Sequence, residues 1–71
     1  METVRQRIIR TAVKLYGSRG FHGTSMRDIA SAVGCSLPTV YHHFGNKSGL
    51  FEEVAADEFL DLQRRMGAQL D

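Results

Sequence analysis

The sequence contains one cysteine, one proline and no long apolar run, and each scarcity closes off a class of protein. Cys35 has no partner for an internal disulfide and no second Cys or His at zinc-ligand spacing, so neither a redox nor a metal framework is expected. No apolar stretch approaches the roughly 20 residues that span a bilayer, and the charged start Met1-Glu2-Thr3-Val4-Arg5 leads into no secretory apolar region. A cytoplasmic protein without membrane contact is the expectation. Sustained alternation of apolar and polar residues is also missing, which argues against strands. Repeats, low-complexity stretches and linkers are absent, and a chain of 71 residues makes one small domain.

Charge becomes informative once it is divided by position. Residues 1–50 carry seven basic side chains against two acidic ones, whereas residues 51–71 carry two against six. The first part suits a polyanion and the last part avoids one, although solvated faces also produce such clusters.

Four helices fit the apolar spacing. Helix 1 is expected from about Thr3 to Ser18, with Val4, Ile8, Ile9, Ala12, Val13, Leu15 and Tyr16 on one broad arc and Arg7, Arg10 and Lys14 opposite. Gly20 stops it by taking a left-handed conformation, and Phe21 follows as an apolar plug. Helix 2 starts near Thr24 or Ser25, where Ser25 and Asp28 have capping-box spacing, buries Ile29, Ala30 and Val33, and ends at Gly34. Ser36 caps a short helix 3 from Leu37 to Phe44, in whose first turn Pro38 is tolerated because no intrahelical bond is lost there. Gly45-Asn46 breaks the chain again, and Asn46 caps helix 4, which continues to about Leu70.

Ala30, Gly34 and Val40 turn this pair of short helices into a helix-turn-helix pattern: a small residue where the helices cross, a glycine four residues on for the turn, and an aliphatic six later returning to the shared core. Leu37, Val40 and Phe44 then face inward with Tyr41 on the flank, leaving Pro38, Thr39, His42 and His43 pointing away. That outward set is short, rich in hydrogen-bonding groups and free of acids, as a helix lying in the major groove requires. Lys47 adds a separate signal. A cation in the first turn of helix 4 opposes the helix dipole by about 0.3 to 1 kcal/mol, and a DNA phosphate at that end would compensate; simple extension into water is the alternative.

The stretch Gly20-Phe21-His22-Gly23-Thr24-Ser25-Met26-Arg27-Asp28-Ile29-Ala30, then Gly34-Cys35-Ser36, Thr39-Val40-Tyr41-His42-His43-Phe44 and Asn46-Lys47, resembles the TetR/AcrR family of transcriptional regulators. The resemblance spans about residues 5 to 55. It implies an all-α fold, a three-helix bundle with a homeodomain-like helix-turn-helix plus a fourth linking helix. Residues 1–47 would form the DNA-binding domain, and 48–71 would lead toward a C-terminal domain outside this chain that binds a small-molecule effector and dimerises. By matching position, Thr24 or Ser25 and Arg27 would contact backbone or a base edge from helix 2. Ser36, Leu37, Pro38, Thr39 and His42 would face the major groove, Tyr41 and His43 would hold phosphates, and Lys47 would bind phosphate. Many members have Lys, Arg or Gly where this chain has Leu37-Pro38, so readout there is expected to be apolar, against a thymine methyl group. The partners implied are double-stranded DNA with a palindromic operator and, in the full-length regulator, a second copy. A repressor follows, with half-sites about one helical turn or a multiple apart.

Other readings carry less. Adjacent His42 and His43 point about 100° apart on a helix and cannot chelate one ion, so no metal or other cofactor is expected. Cys35 is expected to be buried and inert. An enzyme needs a pocket with a nucleophile, base and orienting group, for which so small a domain has little room. The runner-up is a helix-turn-helix used as a protein-interaction module. In helix 4, Leu50, Phe51, Val54 and Ala55 share an arc that closes the core, whereas Phe59, Leu62, Met66 and Leu70 form a second stripe further round, for the missing domain or for another copy of the chain.

Overall fold

Every helix in the structure, a computed structural model, starts on a side chain that takes up an otherwise orphaned amide. The structure describes residues 1–70, with side chains through residue 66. Helix α1 is Val4–Arg19, capped by Thr3, whose hydroxyl accepts from the Gln6 amide while the Gln6 side chain accepts from the Thr3 amide. Helix α2 is Met26–Val33, with the same reciprocal arrangement between Ser25 and Asp28 at 2.9 and 3.0 Å. Helix α3 is Leu37–Phe44, capped by Ser36, and helix α4 is Lys47–Leu70, where Asn46 Oδ1 accepts from the Gly49 amide at 2.7 Å. The expected boundaries hold to within a residue or so, and no strand occurs among the described residues.

Two glycines set the turns. Gly34 sits at φ 86°, ψ 29°, the left-handed conformation that the α2–α3 turn needs and that β-carbon sterics disfavour in other residues. Gly49 allows α4 to start close against α3, since a β-carbon there would collide with the Phe44 carbonyl. At Gly20 the expectation needs adjusting: φ is positive, but ψ of 165° makes it an extended turn and not a left-handed helix end.

One core joins all four helices. Ile8 and Ala12 come from α1, Met26, Ile29, Ala30 and Val33 from α2, Val40 and Phe44 from α3, and Leu50 and Val54 from α4. Ile9, Val13, Leu15 and Tyr16 pack partly against it, whereas Val4, 42% exposed, falls off the arc. Cys35 is only half-buried at the edge of this core, which corrects the expectation of a fully buried thiol. Beyond residue 47, Leu50 and Val54 belong to the same packed unit as α1–α3. Phe51 and Ala55 do not close the core as expected: both are exposed, and Phe51 instead joins Tyr16 and Phe21 in an edge-on aromatic cluster, 5.8 and 4.8 Å between ring centres. Burial pushes the Tyr16 phenol pKa up, and its oxygen has no hydrogen-bond partner among the described residues.

Past Val54, no described side chain of α4 is buried. Phe59, Leu60, Leu62 and Met66 are each more than half exposed, which includes three members of the expected second stripe; Leu70, the fourth, lies outside the residues whose side chains are described. No helix is long and apolar enough to cross a membrane among the described residues.

Candidate nucleic-acid interface

The outward face of α3 forms because its inward face is fully used. Val40 and Phe44 are buried, so the other faces of the helix place Pro38, Tyr41 and His42 in solvent, with Thr39 and His43 half-buried. Ser36 and Thr39 share a hydroxyl–hydroxyl hydrogen bond of 2.8 Å, and the Ser36 hydroxyl accepts from the Thr39 amide at 3.2 Å. This fixes the first turn and presents two hydroxyls side by side. Whichever hydroxyl donates, one O–H of the pair stays free and Thr39 Oγ1 retains acceptor capacity, so the pair can donate or accept against a base edge or phosphate.

At α2 the structure divides the expected contacts. Ser25 and Arg27 are exposed. Thr24 is not: it is 0% exposed, its hydroxyl donates to the Gly20 carbonyl at 2.9 Å, and it therefore ties down the turn after α1 and has no surface to offer DNA. The cap belongs to Ser25 alone. Leu37 packs partly against the core and is half-buried, as Thr39 and His43 are, so part of its side chain stays at the surface next to Pro38.

Electrostatics at this end are set by few groups. The pKa of Asp28, the one acid of α2, is lowered from its ordinary value, first by the Ser25 amide, then by the Ser25 hydroxyl, with the positive charges of Arg19 and Lys47 adding to it. Arg19 approaches it to 3.6 Å. Lys47 is half-buried, and its ammonium lies 4.4 Å from the centre of the Phe21 ring. The opposition between this cation and the α4 dipole is thus offset in part by a ring face, neither of the two expected outcomes.

Two arginines of α1 hold the C-terminal ends of α2 and α3. Arg7 Nη2 donates to the Val33 carbonyl at 2.9 Å, at the C-terminal end of α2. Arg5 Nη1 donates to the His43 carbonyl at 2.8 Å, at the C-terminal end of α3, while its other arm pairs with Glu53 at 2.6 Å and its guanidinium stacks 4.5 Å from the Phe44 ring centre. A cation at each helix C-terminus satisfies free carbonyls and the dipole together. Both partners lie far off in sequence, so no local pattern could have shown them. Arg10 is paired with Glu2. Much of the positive charge of residues 1–50 is therefore structural, and Arg27 and Lys47 are the cations of the helix-turn-helix end without a carboxylate within 4 Å among the described residues.

The packed unit runs from Ile8 to Val54, and a family model described as bacterial regulatory proteins, tetR family, matches residues 8–54. The chain belongs to this family. It is 39% identical over 57 residues to the HTH-type transcriptional repressor KstR2 of Mycolicibacterium smegmatis, which covers 80% of the chain and 27% of that protein. It is 42% identical over 50 residues to the repressor ComR of Escherichia coli, covering 70% and 23%, and 43% identical over 58 residues to the regulatory protein RaaS of Mycobacterium tuberculosis, covering 82% and 26%. The chain thus spans about a quarter of the length of these curated relatives. No solved structure matches it significantly. Within the tetR family this chain is a helix-turn-helix, DNA-binding regulatory domain.

Proposed function

We propose that this domain reads duplex DNA by laying α3 in the major groove, as the DNA-binding part of a non-enzymatic cytoplasmic repressor. Ser36, Leu37, Pro38, Thr39 and His42 face the bases, and apolar contact with a thymine methyl falls to Pro38 and the exposed part of Leu37. Ser25 and Arg27 approach from α2, and Tyr41, His43 and Lys47 hold phosphates. The carrying observation is that the α3 surface left over by core packing holds hydroxyls, imidazoles and a proline ring and no acid. The link toward an effector-binding, dimerising C-terminal domain begins beyond Val54, since Leu50 and Val54 complete the core. Repression is supported by the repressor names of KstR2 and ComR, and a homodimer on a palindromic operator completes the reading.

Selection of bound sites from a random duplex pool tests this reading. One half-site should be enriched, and affinity for it should fall with salt at a log–log slope near −0.9Z for Z neutralised phosphates. No enrichment together with a flat salt response would contradict it and favour a protein-docking use of α3.

A further inference from the structure

We propose that Phe21 is a positioning residue for DNA binding: its ring holds the Lys47 ammonium at the start of α4, where the phosphate is bound. The proposal rests on the reading of Lys47 as a phosphate ligand. A lysine side chain in water samples many rotamers, and at this site the α4 dipole also repels its charge. The structure counters both. The ammonium lies 4.4 Å from the Phe21 ring centre, inside the range at which a ring face attracts a cation. The ring is itself packed among other rings, with Phe51 at 4.8 Å, His22 at 5.3 Å and Tyr16 at 5.6 Å, and the shorter aromatic side chain has fewer rotatable bonds than the lysine it faces. No carboxylate lies within 4 Å of Lys47 among the described residues, and Asp28, whose carboxylate feels the Lys47 charge, is already engaged by Ser25 and Arg19. An aromatic face neutralises no charge and accepts no full hydrogen bond. It therefore holds the ammonium while leaving the N–H donors that point away from the ring for a phosphate, and it keeps the full positive charge that a carboxylate partner would neutralise.

The consequence is that Phe21 acts on DNA only through Lys47. The test is fluorescence anisotropy of the 71-residue chain on its selected duplex, over a range of salt, for the wild type, Phe21→Leu, Phe21→Tyr, Lys47→Ala and the Phe21→Leu, Lys47→Ala double variant. Lys47→Ala should lower the salt slope by about one. Phe21→Leu should weaken binding about two- to fivefold, Phe21→Tyr should restore it, and Phe21→Leu should add nothing once Lys47 is gone. Because Leu can loosen the aromatic cluster, a chain synthesised with trifluorophenylalanine at position 21 keeps the ring shape and withdraws its face charge; affinity should fall with the wild-type melting temperature retained. Equal weakening by Phe21→Leu in the presence and absence of Lys47, or full affinity of the fluorinated chain, would overturn the positioning role while leaving Lys47 as a phosphate ligand. If Lys47→Ala itself leaves affinity and slope unchanged, the phosphate reading falls and the positioning role with it.

Discussion

Helices α2 and α3 are each eight residues long and each begins on a serine cap, yet they spend their surfaces in opposite ways. In α2, Met26, Ile29, Ala30 and Val33 are buried, and the first turn is closed by the reciprocal Ser25–Asp28 bonds. In α3 only Val40 and Phe44 are buried, and the Ser36 cap is shared with Thr39, another hydroxyl, where α2 has a carboxylate. An acid at that position would repel phosphate. The same capping chemistry therefore serves a scaffold in one helix and leaves an approachable, acid-free end in the other.

The largest effect that could break this contrast is on stability. Ile29→Ala should cost about 2 to 5 kcal/mol in chemical denaturation, since the side chain is fully buried at the centre of the core. A loss as large from His42→Ala would show that α3 is scaffold too. Next comes the turn between the helices: Gly34→Ala forces a β-carbon into the left-handed region and should cost about 1 to 2 kcal/mol by the same measurement. The caps follow, with Ser25→Ala and Ser36→Ala each expected to cost about 1 kcal/mol.

The caps should nevertheless differ in their response to acid. Folding lowers the Asp28 pKa, so the stability it contributes is complete above the unfolded-state value, roughly 4, and is lost as pH falls through the lower folded value. Thermal melts of wild type and Asp28→Asn should therefore converge below that window and separate above it, whereas Ser36→Ala should stay a constant interval below wild type. The smallest stability change, within about 0.5 kcal/mol, is expected for His42→Ala, whose effect should appear as altered base preference in site selection.

What was legible in the sequence was mostly local. Ser25–Asp28, Ser36, Asn46 and Gly34 mark helix ends by bonds to residues three or four away, so spacing alone located α2, α3 and the start of α4. Thr24 shows where locality ends: next to Ser25 it has the same capping chemistry, and only the carbonyl of Gly20 packed above it decides that it is buried. Leu37 is drawn two ways, by its core-side spacing and by its family position, and the structure gives it a share of each, partly packed against the core and partly exposed. The clamps by Arg5 and Arg7 and the ring under Lys47 join residues 26 to 38 positions apart or in different elements, which no periodicity reports. At Lys47 the dipole argument did identify the need for compensation, and the structure supplied an unforeseen part of it.

The most direct test of α3 as the reading element is a two-dimensional amide NMR titration of the chain with its selected duplex. The account predicts that shifts concentrate at Ser36, Thr39, Tyr41, His42, His43 and Lys47, with smaller ones at Ser25 and Arg27 and none along Phe59 to Met66. Shifts confined to the exposed apolar stretch of α4, with α3 unmoved, would contradict it.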